Sequence, residues 1–210
     1  MGITNSIEYQ LPTREDLKRG SLAFEKNEPR DAMYKIATFL VNHFWGSPRD
    51  MADGVGVLLL TWNQACYRFG SFDFLNFEIS IKQRMNLLNH FRERSINGFS
   101  NLDEENIEIL FNDFLFSLKS VRKNDNKKTP VGVAKALHLF APNFFPIWDD
   151  KIAKAYKCNY GKNPLKAYLK FIYITREIAL SLQGEFQDPK KTILKIIDEY
   201  NYSKFTKKWI

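Results

Sequence analysis

Two ionisable residues of complementary chemistry, Lys135 and Asp149, lie 14 positions apart (149 − 135) in the stretch TPVGVAKALHLFAPNFFPIWDDKIAKAY, residues 129–156. A lysine set among Val133, Ala134, Ala136 and Leu137, in the first turn of a helix over about 131–140, is discharged by burial and by the positive end of the helix dipole. Such a lysine keeps a lone pair near neutral pH and can attack an electrophilic carbon to form a Schiff base. Asp149 or Asp150 stands where the helix beginning near Lys151 needs its N-cap, a position that favours a negatively charged side chain. A carboxylate facing developing positive charge is the electrostatic partner such a nucleophile needs. Pro142 breaks the first helix, and the apolar loop 143–148 returns the chain. The pair can therefore share one pocket, with His138, Phe145 and Trp148 available as its walls.

The elements that must position this pair read as helices throughout, because apolar residues recur at helical rather than alternating spacing. Thr13 caps a helix over 14–26, and Pro29 opens a second whose stripe is Met33, Ile36, Ala37, Leu40, Val41 and Phe44. Residues 49–69 form a helix apolar on every side in its first half, the mark of a central, buried element. An amphipathic helix over 77–94 uses Ile81, Met85, Leu88 and Phe91. An acidic one from Leu102 buries Ile107, Leu110, Phe111, Phe114 and Leu118. The segment 122–128, Arg-Lys-Asn-Asp-Asn-Lys-Lys, is a basic loop. Beyond the central stretch a helix runs from Pro164 to about Leu182; Gly184 stops it, and Pro189 opens the last. In the tail 202–210, Phe205 and Trp209 pack on the core. The expectation is a compact all-α fold, one unit of two helical lobes (about 30–125, and 126–210 with 1–29) flanking a cleft.

Composition narrows the functions. Hydrophobic residues at 44% and 18 phenylalanines exclude disorder. No apolar run reaches the ~20 residues of a membrane span, and the first residues lack a signal peptide's basic and apolar regions. Cys66 and Cys158 are too few for a zinc cluster or a disulfide framework and read as buried thiols in a reducing cytoplasm. Net charge is +7, unevenly spread: residues 1–120 carry 13 − 16 = −3 and residues 121–210 carry 18 − 8 = +10. A one-sided basic excess is the footprint of a polyanion partner.

With Thr129-Pro130-Val131-Gly132-Val133-Ala134-Lys135-Ala136-Leu137 and Pro146-Ile147-Trp148-Asp149-Asp150-Lys151-Ile152 in view, the chain resembles the helix-hairpin-helix DNA glycosylases. Their signature pairs a Pro-Gly hairpin and lysine with a Pro-x-Val-Asp motif, and Pro130, Lys135 and Asp149 fall on its positions. The resemblance spans about residues 50–180. It implies a glycosylase-like fold with a helix-hairpin-helix element near 120–156. It implies Lys135 as the nucleophile at the sugar C1′, Asp149 as its carboxylate, and a flipped base in an aromatic pocket. Release of a damaged or modified base is the expected reaction, with AP-lyase cleavage following from the Schiff base. Trp62, Asn63 and Gln64 correspond to the residues that enter the DNA. The hairpin departs from the pattern, offering only Gly132, out of register; Arg122, Lys123, Lys127 and Lys128 are then the further phosphate contacts. The implied partner is double-stranded DNA, engaged by a cytoplasmic monomer without metal or cofactor. A non-catalytic nucleic-acid-binding helical protein is the alternative, and a small-ligand or interaction protein a third.

Overall fold

The computed structural model describes residues 11–122, 127–182 and 191–210, and every regular element among them is a helix. The all-α expectation holds. Two isolated bridges, Ser71 with Val121 and Ser120 with Lys127, are the extended pairings seen among these residues. Helix α1 (Arg14–Asn27) opens with a reciprocal capping box: the Thr13 hydroxyl accepts from the Asp16 N–H, and the Asp16 carboxylate accepts from the Thr13 N–H.

Helix α2 (Ala32–His43) begins at Asp31, in the left-handed region at φ 42°, rather than at Pro29. Of its expected stripe only Ala37 and Val41 are buried, while Met33, Ile36 and Phe44 stay exposed. The seam is narrow because α2 crosses α3 (Pro48–Trp62) closely: a Cβ on Gly54 would lie 2.9 Å from the Val41 side chain. The segment read as one helix over 49–69 divides at Asn63 into α3 and a single turn, α4 (Gln64–Tyr67). Its side-chain amide donates to the Thr129 hydroxyl (2.6 Å), and Asn63 leaves helical geometry there. Helix α5 (Phe74–Arg92) starts earlier than expected, at an Asp73 cap. Helix α6 (Glu104–Ser117) buries Ile107, Leu110, Phe111 and Phe114 completely.

Helix α7 (Pro130–Phe140) is buried from Gly132 to Phe140, and α3 is largely buried through its first half, with Leu60 42% exposed. The buried first half expected within residues 49–69 is present at Met51, Ala52, Val55, Leu58 and Leu59, and the helix that carries Lys135 is buried beside it. Helices α8 (Asp150–Ala155), α9 (Pro164–Ser181) and α10 (Ile193–Asn201) follow, and α10 continues into a π-helical turn, Tyr202–Lys207. Gly184, Pro189 and Lys123 lie outside the described residues.

One hydrophobic core runs from Leu17 to Tyr200. α1 packs on α10 so tightly that a Cβ on Gly20 would meet the Tyr200 Cα at 2.6 Å. Phe205 sets its ring against the core residues Tyr156 and Tyr200 as expected, whereas Trp209 sets its edge on Tyr202, outside the core. Cys66 and Cys158 are buried free thiols. Among the described residues no helix is long and apolar enough to cross a membrane.

Candidate active site

A pocket of about 790 Å³ opens between the α1–α2 connection and the end of α3 on one side and the α8, α10 and π-turn residues on the other. That volume is in the range of small-ligand sites. Lys135 and Asp149 both line it, together with Asp31 and Asp198, and Phe24, Trp62, Trp148 and Tyr202 are among its walls.

Lys135 is the sixth residue of α7, in its second turn because the helix starts at Pro130, a residue or two before the expected start, and is only 6% exposed. Burial pulls its ammonium down to about 8, against the opposing pull of Asp149 and Asp198. The cause is desolvation rather than the helix end, because the dipole's influence fades beyond the first turn. The Nζ donates to the Trp62 carbonyl (3.1 Å), and Trp62's ring centre is 5.7 Å away. An amine that donates one N–H there leaves its lone pair free to point into the pocket.

Asp149 is the cap of α8, accepting from the Ile152 N–H at 2.8 Å. Its second oxygen accepts the Thr206 hydroxyl, 57 positions away. Trp148 is placed by its indole N–H on the Pro130 carbonyl (3.3 Å), tying the Asp149 loop to the head of α7.

Beneath the pocket lies a second charged cluster. Lys195 pairs with Asp31 (3.1 Å) and Asp198 (3.5 Å) and rests against the rings of Phe24, Tyr34 and Trp62. Burial opposes its charge, yet Asp198, Asp31 and Glu199 more than restore it and its pKa is raised. Asp198, buried at the pocket wall, is pushed up to about 6 by burial although Lys195 favours its charge.

Several expected site residues stand elsewhere. His138 does not line the pocket: its Nδ1–H donates to the Phe145 carbonyl and its Nε2 accepts the Tyr34 hydroxyl, both at 2.8 Å. Burial holds it down at about 4, a neutral structural histidine. Its partner Tyr34 stacks on Trp62 with ring centres 6.0 Å apart. Phe145 is fully buried against Phe91 and Phe144, because the apolar loop folds inward to fill the core. Asn63 is engaged by Thr129, and Gln64 sits exposed on α4. Gly132 is buried with its N–H donated to the Thr129 hydroxyl (2.9 Å), so it has no amide to offer a phosphate. Arg122 donates to the Cys66 carbonyl and Lys127 to the Ala65 carbonyl, which turns both toward α4; Lys128 is exposed.

Sequence reasoning missed Asp31, Asp198, Lys195 and Thr206. The single available signal was Lys195-Ile-Ile-Asp198-Glu199 in a helix with apolar residues on more than one face, and such charges ordinarily read as a solvated side. Comparison with protein-family models, with curated proteins and with solved structures gives no match.

Proposed function

We propose that this protein is a DNA N-glycosylase with AP-lyase activity, using Lys135 as nucleophile and Asp149 as its carboxylate partner. One observation carries the reading: a lysine discharged to about 8 and an aspartate from a separate element line the same aromatic-walled pocket. Structural lysines are rarely buried at this depth without an ion pair, and among the described residues Lys135 donates to the Trp62 carbonyl rather than to a carboxylate.

In the reaction, neutral Lys135 Nζ gives its lone pair to C1′ of an extruded nucleotide. The C1′–base bond breaks with its electron pair leaving on the base, which takes up a proton. Asp149 stabilises the positive charge that develops on the sugar. Loss of the proton from Nζ and opening of the sugar ring yield the Schiff base. Removal of a C2′ proton then expels the 3′ phosphate. The aromatic walls suit a flipped base, which gains about 1–3 kcal/mol by stacking. The duplex partner is supported by the +10 charge of residues 121–210, and Lys151 and Lys207 stand at the pocket's rim.

Sodium borohydride trapping on duplexes carrying damaged or modified bases tests the proposal. A covalent complex that disappears in Lys135→Gln is expected. Base release that persists undiminished in Lys135→Gln defeats the assigned chemistry. Salt-dependent duplex binding without release of any base points instead to a non-catalytic nucleic-acid-binding protein.

A further inference from the structure

The Asp149 carboxylate is held by both oxygens. Oδ1 accepts from the Ile152 N–H (2.8 Å), which is all that capping α8 requires. Oδ2 accepts the Thr206 hydroxyl at 2.5 Å, a bond surplus to the cap. With its two oxygens tied to different elements, the carboxylate cannot turn without breaking one of them.

Thr206 is itself anchored. Its carbonyl accepts Lys151 Nζ at 2.9 Å, so the start of α8 and the π-turn are joined through both the hydroxyl and the carbonyl of Thr206. The Ser203 hydroxyl of the same turn donates to the Gly20 carbonyl (2.9 Å), and the Trp209 N–H donates to the Ser203 carbonyl (2.8 Å). Tyr202, Thr206 and Lys207 of this six-residue turn all line the pocket. A π-turn carries more residues per turn than an α-helix and is the less stable geometry, kept mostly where it places a side chain usefully.

We propose that Thr206 is a positioning residue for the site, its hydroxyl aiming the Asp149 carboxylate at the space beside Lys135, with the π-turn serving as the brace that sets it. The inference rests on the role given to Asp149 above, but its test does not depend on catalysis.

The test follows the side-chain 13Cε resonance of Lys135, assigned with Lys135→Arg, from pH 6 to 11 in four proteins. Asp149→Asn removes a charge that favours the ammonium and lowers the Lys135 midpoint by about one pH unit. Thr206→Val keeps the shape and removes the donor; the freed carboxylate turns toward solvent, and the midpoint falls by at least half as much. Thr206→Ser keeps the hydroxyl and titrates like the wild type. A Thr206→Val midpoint equal to the wild type overturns the proposal, and so does an Asp149→Asn midpoint that does not move. On a duplex that the wild type processes, Thr206→Val lowers kcat about 10- to 100-fold, with KM and Tm held and Thr206→Ser restoring the rate. An unchanged kcat also overturns it. A wild type that releases no base defeats the glycosylase reading, while the titration still decides Thr206.

Discussion

At the residue scale, Lys135 is kept at the expense of stability. The fold binds its proton less tightly than the unfolded chain does, about 8 against 10.5. The penalty is therefore full below pH 8 and fades as pH rises from 8 to 10.5. A shift of that size corresponds to roughly 3 kcal/mol. Lys135→Met, similar in length and apolar, is expected to raise the unfolding free energy at pH 7 by about 1–3 kcal/mol. Denaturant titrations should show the gain shrinking toward pH 10.5, and a mutant no more stable at pH 7 would mean that the ammonium is already solvated. The chemical rate should have the matching form, rising with pH to a plateau above about 8. His138 behaves in the opposite way. It resembles a catalytic group by type and position, yet both ring nitrogens are consumed in holding Tyr34 and the Phe145 carbonyl.

At the element scale, the positions of Lys135 and Asp149 on one pocket were legible because both depend on local rules. Thr129 and Pro130 begin α7 as a cap and first-turn proline should, and Asp149 caps α8. Helix existence followed from apolar spacing for the same reason. Asn63 was not legible as a break, since its partner Thr129 is 66 positions away. The pocket floor was not legible either: Asp31, Lys195 and Asp198 meet only after α10 docks, and nothing local marks a helix buried from Leu194 to Asn201. That docking turns on one contact. Gly20→Ala would place a methyl 2.6 Å from the Tyr200 Cα, where backbone cannot yield cheaply. The expected loss is about 1–3 kcal/mol, seen as a lowered denaturation midpoint, with the Thr206–Asp149 brace loosened in parallel. A Gly20→Ala protein of unchanged midpoint would show that α1 can shift away freely.

For the whole molecule, charge is mixed at the pocket, where Lys135 and Lys195 accompany the carboxylates, while lysines also stand at its edge. Carboxylates Asp31 and Asp198 lie inside the pocket, Lys151 and Lys207 stand at its edge, and Lys128 is exposed on the basic half of the chain. Duplex affinity should fall linearly on a log–log plot against salt, with each neutralised phosphate adding about −0.9 to the slope. Lys128→Gln should flatten that slope by about 1 while leaving base preference unchanged. A slope already near zero in the wild type would remove DNA as the partner.

The Gly20–Tyr200 contact joins positions 180 apart (200 − 20), nearly the length of the chain. Local helices form early, whereas a closure of that span comes late and slows the final step of folding. The same latch can release before the rest of the core melts, as a cooperative unit of lower stability. Native-state amide exchange should then show α1, α10 and the π-turn opening together, ahead of α6 and α7. The pocket that Lys135 and Asp149 line would thus be the last part of the molecule to form and the first to come apart.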